Sequence, residues 1–147
     1  MPSFSGEHGP IPVDPKGRII LPRKIRGEFP PEARDTCIIS AWMDGCLAVF
    51  DPHTWKEFIV KIQTSGSISD PNHRMLLRYF NASAETVNID SQGRISIPKK
   101  LLEKARITDK ATVIGSGDYA EIWKPELYEQ FMGNIDPEKA IAQANMY

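Results

Sequence analysis

Two arginines occupy the same place in two copies of one short motif. Arg18 closes Asp14-Pro15-Lys16-Gly17-Arg18, and Arg94 closes Asp90-Ser91-Gln92-Gly93-Arg94. A guanidinium presents a planar fork of donors that suits guanine edges or phosphate oxygens, which makes this pair candidates for contacting double-stranded DNA. Asp14 and Asp90 carry a charge that phosphate repels. They are expected to hold the turn and orient the arginine, or to accept from a cytosine amino group. Further cations surround each arginine. Lys16, Arg23 and Lys24 in the first copy, and Lys99 and Lys100 in the second, are expected to meet phosphates, aided by helix starts after Pro22 and Pro98. Gln92 stands where the first copy has Lys16, so the second copy is expected to bind more weakly or to read differently.

The formal net charge is only −1, but it is unevenly spread. Residues 16–26 and 92–106 together hold ten of the 18 Lys and Arg residues and one of the 19 Asp and Glu residues. A duplex responds to that local field and not to the total.

Other chemistries find little support. Cys37 and Cys46 fit a reducing compartment, and their spacing matches neither a redox pair nor a zinc site. His8, His53 and His73 are scattered and read as surface imidazoles, so no metal or cofactor is expected. No nucleophile–base pair or phosphate-cradling glycine loop is present, which argues against an enzyme or a small-molecule substrate. No apolar run approaches the ~20 residues of a membrane helix. The opening Met1-Pro2-Ser3-Phe4-Ser5-Gly6 lacks the basic start and apolar stretch of a signal peptide, so the cytoplasm is the expected compartment, with no membrane partner.

The elements that must position the arginines are also duplicated. Val13 to Ile25 matches Ile89 to Leu101 at an offset of 76 residues: Asp, Gly, Arg, Ile and Pro recur at five places, then two basic residues and an aliphatic one. Further on, Cys37-Ile38-Ile39 leads to Pro52 as Thr112-Val113-Ile114 leads to Pro125, and at the prolines the offset has fallen to 73. A unit of about 50 residues buries too little surface alone, so two units sharing a core are expected. In each, a strand reaches the aspartate and Asp-x-x-Gly makes a tight turn. A second strand covers residues 19–21 or 95–97, and proline opens a helix over residues 23–29 or 99–105. A hairpin follows. Asp44-Gly45 reads as a two-residue turn, which places Cys46 opposite Met43 and Cys37 opposite Pro52 and disfavours a disulfide; Gly117-Asp118 is a weaker turn signal.

Between the halves, Pro52 opens an amphipathic helix carrying Trp55, Phe58, Ile59 and Ile62, and Asp70-Pro71 opens another carrying Met75, Leu76, Tyr79 and Phe80. Their aromatic residues read as core or subunit interface. Pro125 and Asp136-Pro137 open helices near the end. The fold class expected is mainly β with short helices, as two tandem β-β-α-β-β repeats. Repeat 1 spans residues 7–54, a helical connector 55–83, repeat 2 84–127, and a C-terminal helical tail 128–147.

These residues resemble the MraZ family, bacterial transcriptional regulators within the AbrB/MazE/SpoVT-like group. Phe4-Ser5-Gly6 precedes Asp14-Pro15-Lys16-Gly17-Arg18 at the family's spacing. The second half carries Ala82-Ser83-Ala84, Asp90 to Pro98, Val113-Ile114-Gly115 and Glu121-Ile122-Trp123, again in the family's order. The resemblance spans about residues 4–128. It implies a swapped-hairpin β-barrel completed by both repeats of one chain, ring-like homo-oligomers, and nucleoid association. It also implies binding to short direct repeats in the protein's own promoter, as a repressor of the division and cell-wall gene cluster. The family's Asp-x-x-x-Arg motif, associated with DNA contact, falls on Asp14 with Arg18 and on Asp90 with Arg94. Pro10, Pro12 and Pro15 crowd the first strand and remove backbone donors, which puts its pairing in question. A competing reading is an antitoxin-like interaction protein, against which the tail is short and helical in pattern and not a long disordered arm.

Overall fold

The structure is a computed structural model that describes residues 2–144. Strands β1 (Glu7–Pro12) and β2 (Arg18–Ile20) lead through the short helix α1 (Arg23–Arg26) to the hairpin of β3 (Thr36–Ala41) and β4 (Leu47–Phe50). Helices α2 (Pro52–Thr64) and α3 (Pro71–Ser83) intervene. Then β5 (Glu85–Asn88), β6 (Arg94–Ser96), α4 (Lys99–Lys104), β7 (Lys110–Gly115) and β8 (Ala120–Trp123) repeat the series before α5 (Pro125–Gly133) and α6 (Pro137–Gln143). The duplicated motif is thus a duplicated run of elements, within a mainly β architecture. No helix among the described residues is long and apolar enough to cross a membrane.

The two halves exchange strands. A six-stranded antiparallel sheet runs β1-β7-β8-β4-β3-β5, so the first strand of each repeat pairs with the hairpin of the other. The short strands β2 and β6 form a separate two-stranded ribbon. The hydrogen-bonded order leaves β1 and β5 as the two ends of the sheet. That end position explains how β1 forms despite Pro10 and Pro12. An outer strand needs its donors on one side only, and the register breaks between His8 and Ile11, where Pro10 falls, while Pro12 stays in register with Lys110.

Both faces of the central hairpin are covered, which is why its strands read as continuous apolar runs and not as alternating ones. Leu47 and Val49 join an aliphatic core with Ile19, Ile25, Ile39, Ile95, Ile97 and Ile122. Ala48 and Phe50 point the other way, into an aromatic cluster with Trp42, Trp55, Phe80 and Trp123 beneath α2 and α3. Asp51 caps α2 by accepting from the backbone of His53 and Thr54, and Asp70 caps α3 through Asn72.

Three expectations are corrected. The first hairpin pairs Ala41 with Leu47 and Ile39 with Val49, one residue away from the register that a two-residue Asp44-Gly45 turn requires. Directly opposed residues share a face of a sheet. Trp42 and Cys46 both belong to the aromatic cluster and Ala41 and Leu47 both to the aliphatic one, so only this register buries all four correctly. The loop is accordingly Met43–Gly45, with Trp42 donating to the Cys46 carbonyl at 3.0 Å. Cys37 lies opposite Val87 of β5, and both cysteines are free and buried in different clusters. The second hairpin does have a two-residue turn, with Ser116 donating to the Tyr119 carbonyl across Gly117-Asp118. Next, His73 is buried and not at the surface, because the chain after α2 brings Gly66 against its ring. Finally, α1 ends at Arg26, three residues early, with Gly27 as its C-cap, a poor residue for continuing a helix.

Candidate nucleic-acid interface

The ribbon decides where the two arginines go. Arg18 pairs with Ser96, Ile19 with Ile95, and Ile20 with Arg94. Ile19 and Ile95 are buried, which anchors the ribbon's inner face in the aliphatic core. Successive side chains of a strand point to opposite faces, so Arg18, Ile20, Arg94 and Ser96 all share the outer one. Diagonal neighbours in such a ribbon lie about 7–8 Å apart, near two base steps of roughly 3.4 Å. The ribbon extends into both turns: Leu21 donates to the Gly93 carbonyl at 2.8 Å, and Ile97 to the Gly17 carbonyl at 2.9 Å. Each turn is therefore tied to the opposite repeat.

Within each turn the aspartate organises the backbone and the arginine together. Asp14 Oδ1 accepts from the backbone N–H of Lys16 and of Arg18, both at 2.9 Å, while Oδ2 accepts from Arg18 Nε at 2.7 Å. Asp90 does the same for Gln92 at 2.9 Å, Arg94 N–H at 2.8 Å and Arg94 Nε at 2.7 Å. Gly17 and Gly93 close the turns at φ of 76° and 82°, in the left-handed region that favours glycine. The backbone N–H of Arg18 is the main influence holding the Asp14 carboxyl below the usual carboxylate range; partial burial opposes it, and the guanidinium adds to it. For Asp90 the order is the Arg94 N–H, then its guanidinium, with burial again opposing. Both aspartates stay charged at neutral pH and fix the arginines by Nε. Among the described residues, Nη1 and Nη2 of Arg18 and Arg94 have no protein acceptor. The side chains are 30% and 32% exposed, so each is held at Nε and remains partly open to solvent.

A groove of about 710 Å³ brings several of the expected residues together. Asp14, Arg18, Arg23, Gln92 and Arg94 line it, with His8 and Ile20 beside them. Lys16, Lys24, Lys99 and Lys100 are exposed and do not line it. Lys24 Nζ lies beside Gly6 near the start of the chain. Lys100 lines another cavity with Tyr79, Glu85 and Lys104, whose ammonium sits 4.9 Å from the Tyr79 ring centroid. Helices α1 and α4 are four and six residues long, so their dipoles add little to anion attraction beyond the side chains themselves.

Residue type and spacing did not reveal three contributors. Arg26 donates to the Asp90 carbonyl at 3.4 Å and packs over Gly93, so the first repeat supplies a cation to the second turn. Its counterpart Leu102 packs over Gly17 and supplies none. Nothing local signals a contact 64 residues away. Ile20 and Ser96 lie on the arginine face, and strand alternation from Ile19 and Ile95 could have placed them there. Among the described residues no three His, Cys, Asp or Glu side chains gather where a metal could sit.

Comparison with known proteins bears on this duplicated arrangement. A family model described as "MraZ protein, putative antitoxin-like" matches residues 4–79 and again 80–146, one match per repeat. A protein named transcriptional regulator MraZ from Thermoanaerobacter pseudethanolicus is 36% identical over 124 residues, 84% of this chain and 83% of the relative. Proteins of the same name from Cytophaga hutchinsonii and Ligilactobacillus salivarius are 32% and 34% identical, covering 88% and 87% of this chain and 84% and 85% of their own lengths. These relatives are named as regulators and not as enzymes. Two matches to one family model, falling on the two halves whose turns converge on a single ribbon, establish that the chain belongs to the MraZ family.

Proposed function

We propose that the chain is a sequence-specific transcriptional regulator that binds double-stranded DNA through the outer face of the β2–β6 ribbon. One observation supports it above the others: two Asp-anchored arginines, one per repeat, stand on the same face of the ribbon, and among the described residues their terminal nitrogens have no protein acceptor. Arg18 and Arg94 make the principal contacts, Asp14 and Asp90 hold them in position, and Lys16, Arg23, Lys24, Lys99 and Lys100 contact phosphates. The target is a set of short direct repeats in the protein's own promoter, where binding represses the division and cell-wall gene cluster. One ribbon with few cations binds weakly at physiological salt, so a ring-like homo-oligomer engages several repeats at once and gains avidity from their linkage. The protein works in the cytoplasm, on the nucleoid.

The strand exchange between repeats supports a swapped-hairpin barrel completed within one chain. Its parts are residues 7–54 and 84–127 as repeats, 55–83 as connector and 128–147 as tail. The test is footprinting of the full-length protein on the fragment upstream of its gene. Protection of regularly spaced short repeats, lost steeply as salt rises, supports the reading; uniform or absent protection refutes it. The antitoxin-like description of the matching family model favours a second reading, in which the chain also holds a toxin partner. Co-purification with a small endoribonuclease would support that reading.

A further inference from the structure

Beside the two arginines, the ribbon presents one side chain that is neither charged nor polar. Ile20 is 60% exposed, although aliphatic side chains of that size usually find cover. It stands directly opposite Arg94, while Ser96 stands directly opposite Arg18. The exchange of strands makes the two halves of the ribbon equivalents of one another about the central Ile19–Ile95 pair. Under that equivalence Arg18 matches Arg94 and Ile20 matches Ser96. The arginines preserve the symmetry and the Ile20/Ser96 pair breaks it.

We propose that Ile20 is a specificity-determining residue that reads the C5-methyl group of a thymine, so that one half of each DNA site requires a thymine which the other half does not. This rests on the ribbon being the DNA-binding face. A two-stranded ribbon fits a major groove, and the thymine methyl is the one apolar feature displayed there. An exposed isoleucine can bury a methyl but can neither donate to nor accept from a base edge. The serine hydroxyl can do both and discriminates less sharply. The arginines fix the ribbon's position on guanines or phosphates, and Ile20 supplies the directional signal. A nearly two-fold ribbon could then bind a direct repeat in a defined orientation.

The test begins by selecting preferred duplexes from a random-sequence library with the full-length protein. Each thymine of the selected site is then replaced by uracil, which removes only the methyl group. For the parent protein, one thymine is expected to weaken binding about fourfold on replacement, the equivalent of one buried methyl. I20S is expected to bind thymine and uracil equally at that position. S96I is expected to acquire a second such position on the other side of the site's centre. The proposal is overturned if no uracil replacement matters, if I20S keeps the parent's profile, or if I20S changes the oligomeric state in light scattering, which would make Ile20 a subunit contact. If the selection enriches no sequence, the DNA-binding reading itself fails and this one with it. A selected site without a uracil effect removes only the role of Ile20.

Discussion

The two turn glycines are equivalent in sequence but not in surroundings, and this difference can be measured. Alanine at either position must adopt the left-handed conformation, at about 1–2 kcal/mol. Stiffening of the unfolded chain returns roughly 0.4–1 kcal/mol. At Gly93 the added methyl would lie 3.0 Å from Arg26 Nη1, the far end of a flexible side chain that can swing away. At Gly17 it would lie 3.0 Å from Leu102 Cδ1 and 3.2 Å from the Ile97 carbonyl oxygen. That carbonyl belongs to backbone, and Gly17 and Ile97 are joined through the ribbon. Overpacking against such a site adds about 1–3 kcal/mol. Gly17→Ala should therefore destabilise by about 2–4 kcal/mol, and Gly93→Ala by about 0.5–1.5 kcal/mol. Urea unfolding followed by intrinsic tryptophan fluorescence, with linear extrapolation, gives both values. Equal losses, or a larger loss at Gly93, would refute the packing asymmetry assigned to Arg26 and Leu102.

The two anchoring aspartates titrate with their turns. Their pKa values are lower in the folded protein, so the stability they contribute is complete above the ordinary carboxylate value of about 3.9 and is lost as pH falls through the depressed values. Asp14→Asn with Asp90→Asn should flatten stability against pH below about 4 and weaken DNA binding at neutral pH, as read by thermal melts and anisotropy; an unchanged acid limb would contradict the assignment. Burial pushes the Cys37 thiol up to about 12, and burial with the nearby Glu121 and Asp44 charges pushes Cys46 up as well. A thiol reagent at mildly alkaline pH should label neither until denaturant is added, which mass spectrometry would check. Lys16→Gln should reduce the slope of log binding constant against log salt by about 0.9, and Gln92→Lys should raise it by about the same amount. No change in either slope would remove the side chain at this turn position from the phosphate contacts.

The sequence carried the local half of this structure. Asp-x-x-Gly-Arg names its own turn, because every partner of Asp14 lies within four residues of it. The proline-opened helices α2, α3, α5 and α6 were legible for the same reason: their opening prolines are local, and α2, α3 and α6 add an aspartate cap beside them. Long-range placement was not. The hairpin register depended on Trp42 and Cys46 entering one cluster and Ala41 and Leu47 another, and a turn dipeptide has no knowledge of which face is which. Arg26 is one of several basic residues in a charged window until the strand exchange brings Asp90 to it from the other repeat. Lys16, Lys24, Lys99 and Lys100 read from the sequence as one group with the arginines, yet none of the four lines the groove, and Lys100 lines a different cavity.

The most direct measurement compares the parent with Arg18→Ala plus Arg94→Ala on the same upstream fragment over a salt series. The backbone N–H of each residue still holds its aspartate when the side chain is cut back, so the double variant should fold, with a melting temperature lowered modestly by loss of the two Nε–carboxylate bonds. The double variant is expected to lose at least about thirtyfold in specific affinity, from about 1–3 kcal/mol for each of two bidentate contacts, and no longer to distinguish that fragment from unrelated DNA. Retention of specific binding by the folded double variant would contradict the account.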